Sequence, residues 1–125
     1  MVVRTRPTKF GYRAIVLAED VYDGDSVTAD IDLGLKVWIR RAKVRLYAIN
    51  CPELRGSTRE AGLAARDFLR ELLPGDGEIL LRTHKDKREK YGRVLGELWI
   101  QKGPQQLVCL NDELLRAGHA VRYIP

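Results

Sequence analysis

Cysteine is nearly missing from this sequence of 125 residues: only Cys51 and Cys109 are present, far apart and without C-x-x-C or Cys/His spacing. That excludes a disulfide scaffold and a zinc knuckle, so both are expected as free thiols. No apolar run approaches the roughly 20 residues that cross a bilayer, and the basic start MVVRTRPTKFGYR lacks the apolar stretch of a secretory signal. The expectation is a chain without a membrane anchor, cytoplasmic if complete as given. There is no G-x-S-x-G elbow, no P-loop and no H-E-x-x-H, which removes three large groups of hydrolases. Histidine is also scarce. His84 and His119 are the only imidazoles; a pair can cleave RNA without metal, but nothing in the sequence brings these two together.

What is present is cationic. Lys and Arg number 22 against 17 Asp and Glu, a formal charge of +5, which favours an anionic partner, most commonly nucleic acid. Charge alone does not make a site, and basic proteins that bind nothing acidic are the competing reading. With 45% hydrophobic residues, the length suits one core and is short for two.

Residues 1–11 carry Arg4, Arg6, Pro7 and Lys9 without periodicity and are expected to be a flexible basic arm; residues 12–125 are expected to form a single domain. From Tyr12 to Ile49, β-branched and aromatic residues are broken only at Asp23-Gly24 and Gly34, as in hairpin-linked strands. Val44, Leu46 and Ala48 can share one face while Arg45 and Tyr47 take the other, which puts Arg45 outside the core. Ser57-Thr58-Arg59-Glu60 has the form of a capping box, and apolar residues at helical spacing predict a helix over about 58–73, stopped by Pro74-Gly75. Strands are predicted over 78–83 and 94–101 around the charged stretch HKDKREKYGR, with a turn at Lys102-Gly103-Pro104. Asn111 is expected to cap a short helix over about 111–117, Gly118 to end it, and 121–124 to form an extended tail. The pattern predicts a mainly β chain with helices (α+β), five or so strands closing a small barrel whose face and loops suit nucleic acid. No internal repeat is present.

Two loops carry candidate chemistry. Asp23-Gly24-Asp25 offers two carboxylates around a tight turn, able to approach a hard cation, although an Asp-Gly hairpin turn also accounts for them. Asn50-Cys51-Pro52-Glu53 offers an amide oxygen, main-chain carbonyls and a carboxylate, or is an ordinary turn with a solvated acid. Arg45 and Arg93 are the cations singled out, since a planar guanidinium grips two phosphate oxygens. Arg93 follows Tyr91-Gly92, near Arg82, Lys85, Lys87, Arg88 and Lys90. That basic loop suits a phosphate backbone; a solvated loop or a localisation signal are the competing accounts.

In order along the chain, YDGDSV at 22–27, RLYAINCPE at 45–53, KYGR at 90–93 and LNDELLRAGHA at 110–120 resemble the staphylococcal nuclease (thermonuclease) family, over roughly residues 12 to 124. The resemblance implies a five-stranded OB-fold barrel, Ca2+ dependence, and cleavage of DNA and RNA at the 5′ oxygen, leaving 3′-phosphate ends. It makes Arg45, Glu53 and Arg93 the catalytic residues and Asp25 a metal ligand supported by Asp23. Asn50 and the main-chain carbonyl of Cys51 would be the other metal ligands. Lys90 and Tyr91 would bind the nucleotide, and Asn111 would be a buried amide beginning the second helix. Asn50 stands where well-studied members have a second metal-binding aspartate, which should weaken calcium binding; Cys51 replaces a threonine. As the sequence stops at Pro125, the family's third helix is not expected. The expectation is a monomeric Ca2+-dependent endonuclease favouring single-stranded DNA or RNA, reached more easily by a basic groove than stiff duplex. The alternative is a non-catalytic OB-type module that binds nucleic acid or peptide.

Overall fold

In the first long strand Val27, Ala29 and Ile31 are buried while Ser26, Thr28 and Asp30 between them are less so, the period of two required of a sheet with one covered face. The computed structural model describes residues 11–85 and 92–123. Its elements run β1 (Gly11–Ile15), β2 (Val21–Asp23), β3 (Ser26–Gly34), β4 (Val37–Leu46), β5 (Ile49–Asn50), α1 (Arg59–Leu72), β6 (Glu78–His84), β7 (Val94–Gly103), β8 (Gln106–Cys109), α2 (Leu110–Arg116) and β9 (Val121–Arg122).

Five of these strands close on themselves. β1 pairs with both β3 and β6, β6 with β7, β7 with β4, and β4 with β3. The pairing of β4 with β7 is parallel, Val44 opposite Val94, Arg45 opposite Leu95 and Leu46 opposite Gly96; this is the step that closes the ring. Mostly β with two helices, the arrangement is the OB-like α+β fold expected. β2 extends the ring beside β3, β8 pairs with β7, and β5 pairs with β9.

Inside the ring, Val16, Val44, Leu46, Leu81 and Leu98 are almost fully buried, and Ala65 and Leu69 of α1 and Leu110 and Leu114 of α2 cover its ends. Truncating one such leucine to alanine typically costs about 2–5 kcal/mol. Arg70 fixes α1 to the sheet, its guanidinium donating to the Val21 carbonyl at 2.8 Å.

Both expected helices are present within a residue or two of their expected bounds, but their caps differ. Ser57, the cap of the expected capping box, lies instead in a 3-10 turn ahead of α1, and Thr58 takes the N-cap position with no side-chain cap bond, its hydroxyl lying 2.9 Å from the Glu53 carbonyl and 3.0 Å from that of Arg55. The Thr58 hydroxyl braces the preceding loop. Asn111 is the second residue of α2 rather than its cap, because Cys109 takes the N-cap position. Its amide is used elsewhere. Oδ1 accepts from Leu98 N–H (3.1 Å), and Nδ2 donates to the carbonyls of Tyr47 (3.0 Å) and Gly96 (3.2 Å). That ties α2, β7 and the turn after β4 together. Ala48 does not continue β4; it sits in that turn with φ 65°. Strand β8, which the sequence reading did not resolve, follows the 102–104 turn. Strand β1 includes Gly11, the last residue of the expected N-terminal arm; residues 1–10 of that arm lie outside the described residues. Among the described residues, no helix is long and apolar enough to cross a membrane.

Candidate active site

The β2–β3 turn brings Asp25 into the interior edge of the ring. A Cβ at Gly24 would lie 2.7 Å from Cys51 Sγ and 2.9 Å from the Ala65 Cβ, so only glycine lets this turn press against α1 and the segment after β5. Asp25 is held by its main chain, its N–H donating to Asp23 Oδ1 (3.1 Å) and its carbonyl accepting from Leu46 N–H (2.9 Å). The residue is only 7% exposed. Its Oδ2 accepts from Cys51 N–H at 2.8 Å and lies 3.2 Å from Arg45 Nη1, while Ser26 Oγ donates to Oδ1 at 3.4 Å.

Arg45 projects from β4 on the face opposite buried Val44 and Leu46, as the alternation predicted. Its Nη2 donates to Asn50 Oδ1 at 3.2 Å and its Nη1 to the Leu46 carbonyl at 3.3 Å, and the guanidinium carbon lies 5.9 Å from the centre of the Tyr123 ring. One planar cation thus joins the side-chain oxygens of Asp25 and Asn50. Burial, and then the hydrogen bond and charge of Asp25, push the Asp23 carboxyl up to about 6. Burial likewise pushes the Cys51 thiol up to about 12, so at neutral pH the sulfur carries no charge and it is the Cys51 main chain that engages Asp25.

Glu53 is held from behind by α1. A Cβ on Gly62 would lie 2.6 Å from the Glu53 carbonyl oxygen, which brings the helix directly onto this loop. The Glu53 side chain points outward, 71% exposed and 3.3 Å from Arg55 Nε. With Tyr22, Asp23, Leu54 and Arg55 it lines one surface hollow. Arg93 lines a second hollow with Tyr22, Ser26, Val27, Thr28, Lys43 and Val44, placed there because β7 begins one residue later beside Val44.

Direct contacts therefore unite Asp25, Arg45, Asn50 and Cys51, while Glu53 and Arg93 open onto two hollows that share Tyr22. Lys90 and Tyr91 lie outside the described residues. The histidines are engaged separately: His84 Nε2 lies 2.6 Å from Glu97 Oε2 and its ring stacks on Tyr47, whereas His119 packs against Phe68. Tyr22 and Lys43 were not singled out from sequence. The signals were there, since Tyr22 immediately precedes the Asp23 turn and Lys43 shares the parity of Arg45.

Among the described residues, no three His, Cys, Asp or Glu side chains are grouped as metal ligands. The donors that do converge, one carboxylate and one amide oxygen within 3.2 Å of a single guanidinium, are hard oxygens. They fit a weakly held Ca2+ better than a transition metal. Such an ion would compete with Arg45 for both oxygens.

A family model described as "Staphylococcal nuclease homologue" matches residues 43–124, about two thirds of the sequence. The matched span contains Arg45, Asn50, Cys51, Glu53 and Arg93; Asp23 and Asp25 precede it. No curated protein matches the chain.

Proposed function

The chain belongs to the staphylococcal nuclease homologue family, and on that premise we propose that it is a Ca2+-dependent nuclease that hydrolyses phosphodiester bonds in DNA and RNA, leaving 3′-phosphate ends. The observation that supports this most is the bridge made by Arg45 between Asp25 and Asn50, at the edge of the ring where Glu53 and Arg93 open. A cation, a carboxylate and an amide oxygen thus lie in contact with one another, the kinds of group that a metal-assisted phosphate site uses.

In this reading Asp25, Asn50 and the Cys51 carbonyl would hold calcium, which would supply positive charge to offset that of a phosphate oxygen. Glu53, exposed and hence open to solvent, accepts the proton of the attacking water. Arg45 and Arg93 donate to the equatorial oxygens of the phosphorus, where negative charge accumulates as it becomes five-coordinate, so their hydrogen bonds strengthen in the transition state. The 5′ oxygen departs. Lys90 and Tyr91 contact the nucleotide near its terminal phosphate, and the basic stretch around them tracks the backbone. Flexible single strands reach such a site more easily than stiff duplex, and the domain acts as a monomer.

The test is incubation of end-labelled single-stranded DNA and RNA with the protein in calcium or in chelator. Calcium-dependent fragments ending in 3′-phosphate are expected. Binding with no cleavage under either condition would make the domain a nucleic-acid-binding module instead.

A further inference from the structure

Along the outer face of β3 and β4 the same pair of residue types occurs twice. Ser26 lies opposite Arg45, and two residues along Thr28 lies opposite Lys43. A hydroxyl and a cation thus recur at one strand step of about 6.8 Å, a separation comparable with that between successive phosphates of an extended single strand. Both Thr28 and Lys43 line the hollow that also contains Arg93 and Tyr22. Tyr22 is 71% exposed, large for an aromatic ring, and stands at the shared rim of this hollow and the one containing Glu53. Asp30, the next acid along β3, is engaged by Arg41 N–H at 2.8 Å and Arg40 Nη1 at 3.4 Å. The hollow itself is therefore lined by hydroxyls, two cationic residues and an aromatic residue.

We propose that Tyr22, Thr28 and Lys43 form a second nucleotide subsite for single-stranded nucleic acid, next to the one that takes the scissile phosphate. The proposal rests on the nuclease reading for the position of that first phosphate. Lys43 and Thr28 hold the neighbouring phosphate by charge and hydrogen bond, and Tyr22 stacks on the base. Because every base has a π-face and every phosphate the same charge, the subsite lengthens the footprint without selecting a sequence.

The experiment measures binding of a fluorescently labelled eight-residue oligothymidylate by anisotropy, in chelator so that nothing is cleaved, across a series of salt concentrations. Tyr22→Ala is expected to weaken binding roughly fivefold or more, and Tyr22→Phe, which keeps the ring, to leave it near wild type. Lys43→Met is expected to reduce the salt slope by about 0.7, whereas Lys102→Met, at the far end of β7, leaves affinity and slope unchanged. In calcium, Tyr22→Ala and Lys43→Met should raise KM for the octamer by a larger factor than KM for a nitrophenyl ester of a mononucleotide. Wild-type affinity and slope in both variants, no binding of the octamer by the wild type, or equal losses on the mononucleotide ester would overturn the proposal. If the wild type cleaves nothing in calcium but the variants still lose octamer binding as stated, the nuclease reading fails and the subsite stands.

Discussion

Arg45 Nη1 lies 3.2 Å from Asp25 Oδ2, with the two side chains only 15% and 10% exposed. A guanidinium assigned to the phosphate thus also holds the carboxylate assigned to the metal. The same guanidinium reaches Asn50 Oδ1, so a cation bound by these two oxygens would be linked to the position of Arg45.

Replacing Arg45 with methionine leaves Asp25 buried without its counter-charge, and in chelator the variant should lose on the order of 3 kcal/mol of stability. Calcium should then bind it more tightly than wild type, because no guanidinium competes. Thermal unfolding with and without calcium, and calorimetric titration, check both; cleavage should fall by about 10²-fold or more. Equal calcium affinity in variant and wild type would break the linkage.

Asn50→Asp adds a negative charge while keeping the oxygen that accepts from Arg45. Since affinity for calcium rises with the charge of its ligands, a tenfold tighter Kd is the approximate expectation. Titration of the two proteins side by side measures it.

Glu53 is exposed, so Glu53→Gln should leave the unfolding free energy within about 0.5 kcal/mol of wild type. Its kcat should nevertheless drop by about 10²-fold, as for loss of a general base. Arg93→Ala should lower kcat further, with KM changed less, because the guanidinium acts mainly on transition-state charge. Single-turnover cleavage of a labelled oligonucleotide separates the two terms.

Gly62→Ala should destabilise by about 1–3 kcal/mol although alanine is the better helix former, because its methyl would meet the Glu53 carbonyl at 2.6 Å. Urea denaturation gives the sign. A stabilised variant would mean that α1 and the Glu53 loop can part without loss.

Asp23 is expected to make stability depend on pH. Burial raises its carboxyl from 3.8 to about 6, so between those values the native state binds more protons than the unfolded chain and this group's effect is to lower stability as pH rises. Asp23→Asn, which keeps an oxygen to accept the Asp25 N–H, should raise the Tm of the metal-free protein at pH 7 and flatten its decline between about pH 4 and 6. The test is a set of melting curves across that range in chelator.

Much of this was legible along the chain. The alternation of Val44 and Leu46 with Arg45 in β4 told which side Arg45 faces, and the spacing of Ala65, Phe68, Leu69 and Leu72 gave α1 almost to the residue, because both periods are local properties of the backbone. Capping was misjudged for a physical reason: Ser57 and Asn111 have the right side chains for a helix start, but Thr58 takes the first N-cap position with its hydroxyl turned to the Glu53 loop, and Asn111 has better partners in the turn after β4. Local chemistry cannot rank a cap against a partner brought by folding.

By itself the sequence determined the inventory: the cations, carboxylates and amide that can act on a phosphate, and the periods that make strands and helices of the stretches carrying them. Only the tertiary structure decided that Asp25 meets Arg45 and Cys51 N–H, and that Tyr22 stands between the hollows of Glu53 and Arg93. Those proximities follow from closing the ring through the parallel β4–β7 pair and from the bare faces of Gly24 and Gly62. They are contacts between residues far apart in the chain, where nothing local specifies distance and close packing alone does.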